Sequence, residues 1–211
     1  MVKYIKLDGK KVLMIIINFK EYKKGDAAVK LAKICEKVAK QKKVKIIITV
    51  RGQDLEKISK AVKIPVYLQL IKDFVPKKAK GTFLNHSDYP ISNKIINRRI
   101  KLAKKAKIKT VVCCTNTKRA KVIDKMKPNY IAVEPRELIG GKISVSEAKP
   151  ELISKTVREV KTPVLVGAGI HNSRDVKKAL ELGAKGVLTA SAVAKARNPE
   201  KVLQELVKGL K

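Results

Sequence analysis

The sequence contains no tryptophan, and aromatic residues make up only 4% of its 211 positions. A core without large rings has to be filled by Ile, Val, Leu and Ala. That suits parallel strands covered on both faces, which read as apolar runs. Acidic residues are also scarce: 18 Asp and Glu stand against 50 Lys and Arg, giving a formal net charge of +32. Only 8 of those cations are Arg. A field of this sign attracts anions and keeps copies of the chain apart. It raises nucleic acid as a partner. Yet the lysines are spread evenly, and no aromatics interleave with them as stacking on single strands requires. The expected reading is a Lys-rich solvated surface, with nucleic acid disfavoured as a partner.

Cysteine is nearly absent too. Cys35, Cys113 and Cys114 show neither metal-ligand spacing nor an even disulfide framework. They suit a reducing compartment. Cys113 and Cys114 lie in an apolar run and read as plain core residues. No signal-peptide pattern opens the chain. Its early apolar run, 12–17, is far too short to span a membrane. A cytoplasmic protein with no membrane association is expected.

What is present is alternation. Strand-like apolar runs at 12–17, 44–50, 65–70, 81–85, 110–114, 130–134, 163–167 and 186–189 are separated by amphipathic stretches. Those stretches fall at 27–40, 55–62, 91–106, 117–126, 146–160, 174–182 and 199–210. Ser144 or Ser146 can cap the fifth of them, and Asn172 or Ser173 the sixth, which Gly183 stops. Pro199 suits the first helical position of the last. Between the third and fourth strands, 71–80 is too short for a full crossover and is interrupted by Pro76. Eight strands, each followed by a helix or a stub of one, favour a closed (β/α)8 barrel with a truncated third unit. A doubly wound open sheet is the alternative. Residues 1–211 are expected to form one barrel domain, short against the roughly 250 residues typical of that architecture.

In such barrels the active site is built on the loops after the strands. The strand ends are therefore informative. Asn18, Phe19 and Lys20 follow the first strand. Asn85, His86, Ser87 and Asp88 follow the fourth, and Glu134 ends the sixth. Gly167, Ala168 and Gly169 follow the seventh, and Ala190 and Ser191 the eighth. Each alone has an ordinary explanation: a surface lysine, a satisfied histidine, a turn. A carboxylate directly ending a buried strand is costly without a partner or a purpose. A glycine-rich loop after the seventh strand is a common phosphate cradle. His171, just beyond it, reads as a loop residue.

Taken together, IINFK (16–20), GTFLNHSD (81–88), AVEPRELIGG (132–141), VGAGI (166–170) and GVLTAS (186–191) resemble the triosephosphate isomerase family in its short archaeal form. The resemblance covers almost the whole chain, and the NHS and VEP segments are its most specific parts. It implies an aldose–ketose isomerase acting on glyceraldehyde 3-phosphate and dihydroxyacetone phosphate. Glu134 would be the base and His86 the neutral electrophile. Lys20 would hold the phosphate and stabilise enediolate charge, with Asn18 positioning it. Ile139 and Gly140 would lie in a closing lid. Gly169, Ala190 and Ser191 would complete the phosphate site. No cofactor and no metal are implied.

Four departures from the family pattern stand out. Leu70 replaces a usually polar residue after Gln69. Residues 70–80 are shorter than the family's third loop and helix, which normally reach into a partner subunit, so a homo-oligomer is possible without its usual contact. Asp88 replaces Glu beside His-Ser. Arg136 and Lys142 alter the lid's flanks. Two other classes compete with this reading: a non-catalytic barrel that binds polyanions, and a sugar-phosphate epimerase or isomerase. The second would need acid–base pairs elsewhere, and no further pair of carboxylates stands at the strand ends.

Overall fold

The computed structural model describes residues 13–211. Val12, expected to open the first strand, lies outside them. Eight parallel strands close into a barrel in simple sequential order. They are β1 (Met14–Asn18), β2 (Lys45–Val50), β3 (Val66–Leu68), β4 (Gly81–Leu84), β5 (Lys109–Cys114), β6 (Tyr130–Val133), β7 (Val164–Val166) and β8 (Gly186–Thr189). Closure is made at β1, where Met14 pairs with Lys45 on one side and Gly186 on the other. The open-sheet alternative is thereby set aside.

Side chains alternate across each strand, so one set fills the barrel and the other faces the helices. The interior set is Met14, Ile16, Ile47, Tyr67, Phe83, Val111, Cys113, Ala132, Leu165 and Leu188. The outer set packs under the helices in a larger apolar layer that includes Ile15, Ile17, Ile46, Ile48, Val112 and Cys114. Cys113 and Cys114 thus point to opposite layers, and both are buried.

The helices are α1 (Gly25–Lys42), α2 (Gly52–Ala61), α3 (Asn93–Lys105), α4 (Thr117–Asp124), α5 (Val145–Ala148), α6 (Pro150–Glu159), α7 (Ser173–Glu181), α8 (Ser191–Ala194) and α9 (Pro199–Lys208). On α1 the buried positions Ala28, Leu31, Ala32, Cys35, Val38 and Ala39 recur at helical spacing and form its inner face. Ser92 and Asn116 cap α3 and α4 through their side-chain oxygens. No helix forms between β3 and β4, as the truncated third unit requires.

Two expectations need correction. The stretch 146–160 is not one helix. It divides into α5 and α6 at Pro150, which has no N–H to continue the first helix but suits the first turn of the second. The four-residue α8 after β8 was not expected; it is too short to show a period. Of the two candidate caps for α7, Asn172 takes the role. Its Oδ1 accepts from Asp175 N at 3.0 Å while Asp175 caps back, a reciprocal capping box. Among the described residues no helix is long and apolar enough to cross a membrane.

Candidate active site

A cleft opens at the C-terminal mouth of the barrel. Asn18, Lys20, His86, Glu134, Ile139, Gly140, Gly169, Ala190 and Ser191 all line it. The fold thus brings together the nine residues to which the family resemblance gave a role. Tyr22, Phe83, Gly141, Ala168, Ile170, His171, Leu188 and Thr189 line it as well.

Asn18 is the last residue of β1 and is buried. Its Oδ1 accepts from the Lys20 backbone N–H at 3.0 Å and from Gln69 Nε2 at 2.9 Å. The first bond fixes Lys20, whose φ of 45° is rare for a residue with a side chain. Such strain persists only where the surroundings hold it, and it gathers at functional sites. The Lys20 ammonium stands 3.3 Å from Asp88 Oδ2. Asp88, shorter than the family's usual Glu, therefore still reaches this cation.

His86 is buried, with its ring stacked against Phe83 at 5.9 Å between centroids. The Asp88 backbone N–H donates to His86 Nδ1 at 3.2 Å. An accepting Nδ1 carries no proton, so in the neutral ring the hydrogen sits on Nε2. Asn18 Nδ2 lies 3.5 Å from Nε2. Its amide orientation is set by the two bonds to Oδ1, so Nδ2 is a donor there too. Two donors face each other at a distance too long for a strong bond, and the Nε2–H is left free for an acceptor in the cleft.

Glu134 follows β6, its backbone N–H held by Cys114 O at 2.8 Å. Its carboxylate lies beside Gly167, where an added Cβ would stand 2.5 Å from Oε1. The other oxygen, Oε2, is buried without a hydrogen-bond partner. A buried carboxylate oxygen left unsatisfied is expensive, and native structures keep few of them. Behind it, burial first and then the nearby Glu134 carboxylate push the Cys113 thiol well above its ordinary range. The thiol therefore stays protonated and offers the base no competing nucleophile.

The remaining wall is backbone. Gly169 has φ +66°, and an added Cβ would collide with the Ile143 carbonyl, so only glycine fits. Gly140, at φ +76°, sits in the loop after β6, which begins with a 3-10 turn at Arg136–Leu138. His171 ties the two loops together: its Nε2 is 2.9 Å from Gly141 O. Read from sequence as a simple loop residue, it is a clasp across the cleft. Nothing local to its segment signals that role, because its partner lies 30 positions away.

A carboxylate, an imidazole and an ammonium share one cleft bordered by backbone. That set can remove a proton beside a carbonyl and hold an anionic group.

The triosephosphate isomerase family model matches residues 76–208. The triosephosphate isomerase of Methanocaldococcus jannaschii is 40% identical over 217 aligned positions, spanning 93% of this chain and 99% of that protein. That of Saccharolobus solfataricus is 38% identical, spanning 92% and 94%. Solved structures of the same shape include thiamine phosphate pyrophosphorylase from Pyrococcus furiosus. Its TM-score is 0.65 at 18% identity, with 94% of this chain and 95% of that one covered. (S)-3-O-geranylgeranylglyceryl phosphate synthase from Thermoplasma acidophilum also superposes, with TM-score 0.65 at 16% identity and coverages of 95% and 93%. Likeness at such identities speaks for the barrel alone. The family model and the curated relatives speak for more, and on their match the chain belongs to the triosephosphate isomerase family.

Proposed function

We propose that Glu134, His86 and Lys20 carry out the family's reaction here, the interconversion of glyceraldehyde 3-phosphate and dihydroxyacetone phosphate. The activity follows from membership of the family. The residue roles rest on the site. One observation carries them: Glu134, His86 and Lys20 line the same cleft.

The Glu134 carboxylate takes the proton from the carbon beside the carbonyl and returns it to the neighbouring carbon. His86, with Nδ1 occupied by the Asp88 N–H, donates from Nε2 to the oxygen on which charge develops. A carboxylate base paired with a neutral imidazole is the pattern known for triosephosphate isomerases. Lys20 adds a fixed positive charge, and Asn18 holds it in place. Donors aimed at developing charge act strongly where water is excluded.

The substrate phosphate sits among Gly169, Ala190 and Ser191. Ser191 opens α8, whose first N–H groups have no acceptor within the helix. Ile139 and Gly140 close over it, which excludes water and retains the intermediate. Three unpaired cysteines suit the cytoplasm.

The test is an isomerase assay of the purified chain with glyceraldehyde 3-phosphate. Turnover supports the assignment. A folded chain without turnover would leave a binding protein built on an isomerase barrel.

A further inference from the structure

The opposite, N-terminal mouth of the barrel carries charge that catalysis does not use. There a second cleft is lined by Lys45, Lys63, Lys78, Lys80 and Lys109, together with Ser59 and Tyr67. Among the described residues no carboxylate lines it.

The placement of these lysines follows from strand register. Lys45 is the first residue of β2 and Lys109 the first of β5; Lys80 immediately precedes β4. Side chains alternate along a strand, and Ile47 and Val111 belong to the barrel's interior set. Lys45 and Lys109, two residues earlier, therefore start on the inward face. Lys80 is joined to Lys109 through the backbone, its carbonyl accepting the Lys109 N–H at 3.1 Å. Cations at the starts of β2, β4 and β5 are thus gathered around one opening.

Direct ion pairing is missing from this cleft. None of the five lysines forms an ion pair among the described residues. Two acids act on this rim through space, Glu36 on Lys63 and Glu56 on Lys78, but their direct bonds go to Lys40 and the Lys63 backbone, and to Lys60. Ser59 Oγ is buried without a hydrogen-bond partner. Burial, and then repulsion from Lys109, hold the half-buried Lys45 below the usual lysine range. Cations gathered in one cleft beside an unsatisfied hydroxyl, with no carboxylate among the described lining residues, present donors suited to an anion. Among its described lining residues the cleft offers no exposed ring on which a base could stack, since the Tyr67 ring is buried in the barrel. That favours a compact, multiply charged ligand over a nucleobase-bearing one.

We infer that the N-terminal mouth is a second anion site, taking an oligophosphate (linked phosphate groups without a base) between Lys45, Lys80 and Lys109. It lies at the end of the barrel away from the catalytic cleft and does not depend on the isomerase reading.

The test must separate this cleft from the general positive field. Calorimetric titration with sodium tripolyphosphate at low salt compares three proteins. One is the wild type. The second carries Lys45→Gln, Lys80→Gln and Lys109→Gln. The third carries Lys33→Gln, Lys101→Gln and Lys118→Gln, exposed positions on α1, α3 and α4 that remove the same charge. The cleft variant should bind about tenfold more weakly or worse, because it loses charge-assisted contacts. The helix variant should stay within about twofold of wild type, as distant exposed charges act only through a screened field. Isomerase turnover of the cleft variant without tripolyphosphate should be unchanged, which also shows that it folds. If it does not fold, the double variant of the exposed Lys80 and Lys109 carries the comparison. Equal weakening in both variants, or no binding by the wild type at low salt, overturns the inference.

Discussion

At the scale of single residues the site turns on Glu134 and on the space kept for it. Replacing Glu134 by Gln preserves shape but removes the base. kcat should fall by about 10²–10⁴-fold, the usual worth of a positioned general base. A variant of near-normal kcat would show that another group takes the proton. Gly167 makes a subtler test. A Cβ there would press on Glu134 Oε1 from 2.5 Å, so the carboxylate must shift. Gly167→Ala should lower kcat by up to about 10²-fold, since an ångström of misplacement is felt in the reacting geometry. Steady-state kinetics with an unaltered kcat would mean that the base does not work from this position. That Lys20, His86 and Glu134 would meet at one mouth was legible in the sequence because all three stand at strand ends of a barrel; the roles proposed for them came from the family resemblance. The strain at Lys20 was not legible. Its positive φ depends on a bond to Asn18 Oδ1, and Asn18 is held in turn by Gln69 from another strand's end.

At the scale of elements, the loops after β6 and β7 work as a pair. His171 donates across the cleft to Gly141 O, and Glu137 at the loop's start pairs with Lys149 where α5 gives way to α6. His171→Ala cuts the clasp without touching the catalytic set. The loop should then close less well, raising KM for triose phosphate several-fold, on the order of the 1 kcal/mol of a typical hydrogen bond. An unchanged KM would show that the clasp plays no part in substrate binding. Just beyond, Asn172 caps α7 and holds the end of the same loop. Asn172→Ala should cost about 1 kcal/mol of stability, read as a lowered denaturation midpoint. No shift would mean that Asp175 and the backbone suffice. Elements were read well where their period was long, as on α1, and poorly where chemistry overrode it. The Pro150 break was present in the sequence as a proline inside an apolar pattern, yet the pattern runs through it on both sides. The α8 turn had no such mark, and His171 pairs with a residue that no local window includes.

At the scale of the whole molecule, two features of composition meet one architecture. Branched aliphatic residues dominate the layer under the helices, but the barrel interior departs from the expected Ile, Val, Leu and Ala filling by also holding Met14, Tyr67, Phe83 and Cys113. The aliphatic layer followed from apolar runs alternating with amphipathic stretches. What could not be read from an even spread of lysines is where the fold collects them, because register and closure decide which strand starts share an opening. The excess charge nevertheless has a consequence for catalysis that needs no map of the surface. Triose phosphates are dianions at neutral pH, and the chain carries a formal +32. Association with the cleft is therefore steered by attraction, and Asp88, standing by Lys20, offsets only part of it. Steering acts on encounter and is screened over about 10 Å at 0.1 M salt. kcat/KM should fall as ionic strength rises, while kcat, set after the substrate is bound, should change little. A salt that competes for the phosphate site would raise KM even without steering, so chloride and a bulkier monovalent anion should be compared at equal ionic strength. Matching declines with both would mark a field effect; a decline with one alone would mark competition at the site, and a flat profile would mean that the positive field does not reach the reaction.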